Sequence, residues 1–237
     1  TRVRSSAASD VYKRQVEDAA RKLRYTVLFK ILSKHKSEYI VTAHHRDDQA
    51  ETLLLHLLRG SGAEGLGGMR CHNNSIVRPF LQVSRRMLEA YCAMRSLDYR
   101  TDSSNMDLYY TRNKVRHILL PLLEREFNPN IKQALAQTAT LTAEDADCLN
   151  ELAEEKFLQY VLQDDHSCSC DTAWLLSLPA ALCSRIIRMM WKKLGAAGLL
   201  TFQQTQQVIG LVHKGSSNKR LMPVSYTHLR AHETSLH

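Results

Sequence analysis

A chain of 237 residues, 44% hydrophobic and 24% charged, has room for one large globular domain or two small ones. No run approaches the ~18 apolar residues of a membrane span, and no charged-then-apolar leader opens the sequence, so the expected setting is the cytoplasm with no membrane partner. The formal net charge of +8 favours a polyanionic partner.

The two ends stand apart from the rest. Residues 1–15 (TRVRSSAASDVYKRQ) and 224–237 (VSYTHLRAHETSLH) show neither helical nor strand period and resemble translated adapter read-through; both are set aside from the fold, and the natural protein is expected to continue in both directions. Arg2, Arg4, Lys13 and Arg14 against Asp10 give the first stretch +3, which leaves the body basic at +5. The cysteines, Cys71, Cys92, Cys148, Cys168, Cys170 and Cys183, show no C-x-x-C spacing and read as reduced structural thiols. Cys168-Ser169-Cys170 with His166 reads as a polar loop in preference to a metal site.

In chain order, Ala20, Leu23, Val27, Leu28, Ile31 and Leu32 recur at helical spacing and predict an amphipathic helix from Val16 to about Ser33, with Arg21, Lys22 and Arg24 on its other face. Glu38 to Ala43 reads as a buried strand, and Asp48 to Arg59 as a second helix. Together they form a helix–strand–helix unit of a parallel sheet. Five of the nine glycines lie between Gly60 and Gly68, which predicts a loop. A strand over Ser75–Phe80 and a helix from the N-cap Ser84 to about Ser96 follow. After the turn Thr101–Asn105, a helix from Tyr109 to Phe127 carries Pro121 as a kink. Beyond Asn128-Pro129-Asn130 only helices are expected, at Ile131–Leu162, Ala180–Leu194 and Phe202–His213, so a first domain over residues 16–129 is followed by a smaller helical one over 130–223.

Chemistry concentrates in Thr42-Ala43-His44-His45-Arg46-Asp47-Asp48-Gln49-Ala50-Glu51-Thr52, which packs two imidazoles and three carboxylates into a strand-to-helix turn. Ligands of open α/β sheets bind outside the carboxyl ends of strands, where this turn stands. A capping box of Asp48 with Glu51 accounts for two of the acids. Asp47, His44 and His45 are left to bind Mg²⁺ or move a proton. The H-E-x-x-H spacing of a zinc hydrolase is absent, His56 lying further on. Arg59-Gly60-Ser61-Gly62 is either a flexible loop or an anion cradle without the P-loop spacing. Arg112 and Arg116 stand one helical turn apart and share a face; with Arg70, Arg78, Arg85, Arg86, Arg95 and Arg100 upstream they fit a phosphate-tracking surface on which Tyr91, Tyr99, Tyr109 and Tyr110 stack bases or fill a core.

At these residues the sequence resembles the bacterial tRNA(Ile)-lysidine synthase family. That family carries an A-R-x-x-R-Y helix, an H-x-x-D-D-Q-x-E-T turn, an R-G-S-G loop, an R-P-F/L strand and an S-N…Y-x-R-N-x-x-R segment. Here they stand in the same order as Ala20-Arg21-Lys22-Leu23-Arg24-Tyr25, His44 or His45 with Asp47-Asp48-Gln49-Ala50-Glu51-Thr52, Arg59-Gly60-Ser61-Gly62, Arg78-Pro79-Phe80, and Ser104-Asn105 through Tyr110-Thr111-Arg112-Asn113 to Arg116. The resemblance implies an α/β fold, a partial N-type ATP-pyrophosphatase sheet followed by a helical domain. It implies that ATP adenylates the C2 oxygen of an anticodon cytidine in isoleucine tRNA and that the amine of free lysine displaces AMP to give lysidine.

On this reading His45, Asp47, Asp48 and Glu51 are catalytic, with Asp47 and Asp48 candidates to hold Mg²⁺ or to receive the ammonium of lysine and take its proton. Arg21, Arg24, Tyr25, His44, Arg59, Gly60, Ser61 and Gly62 bind ATP or substrate, and Arg78, Arg112, Asn113 and Arg116 bind tRNA; a homodimer is an option. The family's S-G-G-x-D-S pyrophosphate loop has no counterpart in the chain, which implies a fragment that binds ATP poorly and does not turn over. Two other readings stay open: a non-catalytic basic tRNA-binding module, and a sister ATP-pyrophosphatase such as a tRNA thiolation enzyme, against which the lack of C-x-x-C speaks.

Overall fold

The apolar stripe of the first predicted helix is realised as α1, residues 19–34, in a computed structural model that describes residues 19–100, 107–164, 167–195 and 198–213. Its carboxyl end closes through Lys36 at φ 51°, with Ser37 N–H donating to Leu32 O at 3.1 Å. That is the left-handed helix stop in which glycine is usual. Strand β1 (Ile40–Val41) pairs in parallel with β3 (Ile76–Val77), in the register Ile40 to Ile76 and Val41 to Val77. The ladder continues as Thr42 N–H donates to Val77 O at 3.0 Å. A strand not foreseen, β2 (His72–Asn73), pairs antiparallel with β3 through a tight turn at Asn74, φ 50°. The sheet order is β1-β3-β2, so the sheet is mixed where a parallel one was expected.

Helix α2 (Arg46–Leu58) follows β1, and the glycine-rich stretch after it contains a short helix, α3 (Ala63–Leu66), where a loop was expected. Gly68 turns at φ 62°, and a Cβ there would stand 2.8 Å from the Gln49 amide oxygen. That amide is occupied, Oε1 accepting from Met69 N–H at 2.8 Å and Nε2 donating to Met69 O at 3.0 Å, so buried Gln49 fixes the end of the loop. Helix α4 (Arg85–Met94) starts at the expected cap, Ser84, whose side chain accepts from Met87 N–H.

The Pro121 kink takes a definite form. Helix α5 (Thr111–Lys114) passes into a π-turn, Val115–Leu119, before α6 (Leu120–Glu126). Proline has no N–H and crowds the carbonyl four residues back, and the helix relieves this by widening in the preceding turn, where Leu120 N–H reaches Val115 O. Ala50, Leu54 and Leu55 of α2 pack on Val115 and Leu120, flanked by Leu123, Ile131 and Leu135. Each fully buried aliphatic side chain contributes about 1.5–3 kcal/mol, so this cluster holds the motif-bearing helices together.

Helix α7 (Ile131–Tyr160) continues to the second part of the chain. The contacts divide the chain into two units within that helix, between Glu144 and Asp145. The first unit extends into α7 because Ile131 and Leu135 join its core and Arg70 Nη2 donates to Ala143 O at 3.1 Å. The second unit is not helical alone: a hairpin, β4 (Leu162–Gln163) with β5 (Cys168–Ser169), precedes α8 (Thr172–Ser177), α9 (Ala180–Lys193) and α10 (Phe202–His213). Its core gathers Ala153, Phe157, Leu175, Cys183, Ile186 and Ile187. Burial pushes the Cys183 and Cys170 thiols up, which keeps them protonated, as expected of structural cysteines. Among the described residues no helix is long and apolar enough to cross a membrane.

Candidate active site

The start of α2 is set by His45. It sits in extended backbone at φ −123°, ψ 178°, and its Nδ1 accepts from Asp48 N–H at 3.3 Å while Asp48 Oδ2 accepts from His45 N–H at 3.0 Å. The capping box is therefore His45 with Asp48, one turn earlier than the Asp48–Glu51 box expected from the sequence. Glu51 is thereby released from capping and turned into the protein, only 2% exposed.

What meets it there comes from the other end of the domain. Glu51 Oε1 accepts from Arg116 Nε at 2.6 Å, and Oε2 accepts from Arg112 Nε at 2.8 Å and Arg116 Nη2 at 2.9 Å. Asp48 Oδ1 accepts from Arg116 Nη2 at 3.1 Å and Arg112 Nη2 at 3.4 Å. Two carboxylates three residues apart on α2 thus face two guanidinium groups four residues apart on α5 and the π-turn. Burial works against the Arg116 charge, but the hydrogen bonds and charge of Glu51, followed by Asp48 and Asp47, raise its pKa and hold it protonated.

Asp47 points elsewhere. Its Oδ1 accepts from Arg85 N–H, the first residue of α4, at 3.1 Å, and its Oδ2 lies 3.7 Å from Lys132 Nζ on α7, which also pairs with Glu124 at 3.1 Å. Adjacent acids have separate work: Asp47 ties α2 to α4 and α7, whereas Asp48 stays with the arginine pair.

His44 is half-buried, and its Nδ1 lies 2.8 Å from Thr42 Oγ1. Desolvation depresses its pKa; Asp48 opposes the shift, while Arg78, Arg112 and Arg21 add to it. The neutral imidazole is therefore the native form. A base with a lowered native pKa binds more protons unfolded than folded between its ordinary and its native value, so its contribution to stability is complete above about pH 6.5 and is lost progressively as the pH falls from there through the lowered native pKa. Thermal melts of the full chain from pH 8 to pH 5 are expected to show this loss, and His44→Gln to flatten that part of the curve. An unchanged slope in the variant would remove His44 from the account.

The remaining predicted residues divide. Arg21 lies on exposed α1 with its Cζ 5.5 Å from the Tyr25 ring, and it acts on His44 through its charge. Arg59, Gly60, Ser61 and Gly62 lie past the far end of α2, and a 13-residue helix puts roughly 20 Å between them and Asp48. They do not join the cluster. Asn113, 7% exposed, donates from Nδ2 to Asp107 O at 2.8 Å, and Arg78 is 4% exposed. Arg112 and Arg116 pair with carboxylates while their side chains stay 30% and 20% exposed.

Exposed instead is α4, with Met87, Tyr91 and Met94 at 61%, 51% and 71% and Arg95 Cζ 5.8 Å from the Tyr91 ring. The helical spacing of these residues was legible in the sequence, and Tyr91 and Arg95 were among the residues weighed there.

The PP-loop domain family model matches residues 2–123, beginning inside the stretch set aside from the fold, which lies outside the described residues. The tRNA(Ile)-lysidine synthase of Thermobifida fusca is 41% identical over 186 residues, covering 78% of this chain and 56% of that protein. The synthase of Geobacillus kaustophilus is 34% identical over 205 residues, 84% of this chain and 44% of its own length. That of a Nostoc species is 35% identical over 213 residues, 83% and 62%. The chain thus spans about half the length of these relatives.

Proposed function

We propose an activity from one premise: the chain belongs to the PP-loop family and, within it, to the tRNA(Ile)-lysidine synthase family. The activity is ATP-dependent attachment of free lysine to C2 of a cytidine in isoleucine tRNA. Adenylation turns the C2 oxygen into a good leaving group, and the lysine amine then displaces AMP.

The observation that supports this reading most is the pairing of Asp48 and Glu51 with Arg112 and Arg116 beside a neutral histidine, at the carboxyl ends of β1 and β3. Such a buried charge network costs desolvation and is a poor source of stability by itself. Asp48, its side chain 12% exposed, is the acid that a lysine ammonium reaches, since Glu51 is closed off at 2%. Neutral His44 accepts the proton that the attacking amine must lose. His45 acts through the helix cap, with its Nδ1 engaged by Asp48 N–H.

The residues present do not fit a resident Mg²⁺ at Asp47 and Asp48. Asp47 oxygens are taken by Arg85 N–H and Lys132, those of Asp48 by the arginines and its cap, and no group of three ligating side chains occurs among the described residues. Arg21, Arg24 and Tyr25 on α1 are placed on the nucleotide side in this reading. The exposed α4 face, with Tyr91 and Arg95, takes unpaired bases of the tRNA.

Incorporation of labelled lysine into unmodified isoleucine tRNA by the full-length gene product tests the proposal. Incorporation that requires ATP is expected. Tight tRNA binding without ATP-dependent transfer would favour the binding-module reading.

A further inference from the structure

Two arginines, Arg46 and Arg78, bury an Nε without a hydrogen-bond partner among the described residues, and Arg78 is the less exposed of them. It follows β3 directly, is 4% exposed, and has no carboxylate within ion-pair distance among the described residues. Its Nη1 donates to Arg70 O at 2.8 Å, but its Nε is buried without a hydrogen-bond partner among the described residues. A guanidinium offers five donors in a planar fork, and leaving one desolvated and unpaired is costly.

Its placement gives that cost a meaning. Val77 is in register with Val41, so Arg78 and Thr42 leave the sheet side by side, at the edge where His44 follows. The nearby acids Asp48 and Glu51 pair with Arg112 and Arg116, and neither lies within ion-pair distance of Arg78. Arg78 and Arg112 both act on His44 through their charges, so positive charge gathers at this edge; Arg78 Nε is a buried donor without a partner there, as is Arg46 Nε at the start of α2.

We propose that the Arg78 guanidinium is a buried oxyanion receptor at the carboxyl ends of β1 and β3, taking either a phosphate of the nucleotide or the carboxylate of the amino acid. This rests on the ligase reading for the identity of those two anions. It moves Arg78 from the RNA-binding role expected in the sequence to a small-molecule role. A planar fork with a free Nε–H matches the two oxygens of a phosphate or carboxylate, which a lysine in its place would not.

The experiment measures ligand binding by the full-length gene product through thermal shift and calorimetry, with two matched pairs of probes. AMP against adenosine isolates the phosphate, and L-lysine against cadaverine isolates the carboxylate. In the wild type one member of one pair is expected to bind measurably tighter than its partner without the anion, and that pair identifies the source. Arg78→Met and Arg78→Lys are each expected to weaken that binding by about 10-fold or more, the loss of a charge-assisted hydrogen bond. Without ligand, Arg78→Met is expected to melt above the wild type, because an unpaired buried charge has been removed.

Binding by folded Arg78→Lys within about two-fold of wild type would overturn the proposal. So would equal binding of both members in both pairs, or a collapse of Arg78→Met stability with Arg78→Lys binding intact, which is the behaviour of a strut. Lysine transfer is scored separately. Transfer with unchanged KM values in the variants sinks the receptor and spares the ligase reading, whereas anion binding through Arg78 without transfer does the reverse.

Discussion

Glu51→Ala is expected to destabilise the folded chain by about 3–5 kcal/mol, the largest stability effect of any single substitution in the first unit. The cause is what the substitution leaves behind. Arg112 and Arg116 each lose their closest carboxylate partner, at 2.8 and 2.6 Å, while their side chains stay only 30% and 20% exposed. Asp48 cannot replace Glu51, because one of its oxygens caps α2 and the other already lies 3.1 Å from Arg116. Glu51→Gln keeps the shape and one acceptor and is expected to cost less.

Pairing Glu51→Leu with Arg116→Met should recover part of the loss, since replacing both members of a buried pair by apolar groups is often near neutral. Urea unfolding of the singles and the double forms a cycle whose coupling should exceed about 1 kcal/mol. Additive effects would mean that the network does not act as a unit.

The same network shows where sequence reading ends. Arg112 and Arg116 were legible as a shared helical face, and Asp48 and Glu51 as acids at a helix start, because both are local spacings. Their meeting was not, since the partners are more than sixty positions apart and the only trace is that spacings of three and four residues match across two helices. The cap was misplaced by one turn for a related reason. His45 and Asp48 satisfy the same three-residue offset as Asp48 and Glu51, and histidine is not among the favoured N-cap residues.

Pro121 announced its kink, although only the backbone shows that a π-turn absorbs it. Hairpin β4–β5 has strands of two residues, too short for any period to appear. Arg78 misled through its type: arginine is seldom fully buried, so an arginine beside several others reads as surface. The motifs themselves, read together and in order, pointed to the family that the PP-loop match and the lysidine synthase relatives show.

In the full-length gene product, Asp48→Asn is expected to lower kcat/KM for lysine transfer by about 10²–10⁴-fold, whereas Asp47→Asn loses less than about ten-fold. The two residues are neighbours of the same type, so composition and local charge cannot separate them; geometry does. The Asp47→Asn side chain keeps an oxygen for Arg85 N–H, the shorter of the two contacts of Asp47, and gives up only a 3.7 Å approach to Lys132, itself also paired with Glu124. The Asp48→Asn side chain retains an acceptor for the helix cap, whose loss would typically cost ~1 kcal/mol, but removes the negative charge that the Arg112–Arg116 pair faces and that the proposed reaction assigns to the ammonium of lysine.

The loss in Asp48→Asn should therefore appear in catalysis with the KM for lysine raised, while the melting temperature falls only modestly. Equal effects of the two substitutions, or a larger one at Asp47, would return metal binding by the acid pair to consideration and remove Asp48 from its place as the lysine-facing carboxylate.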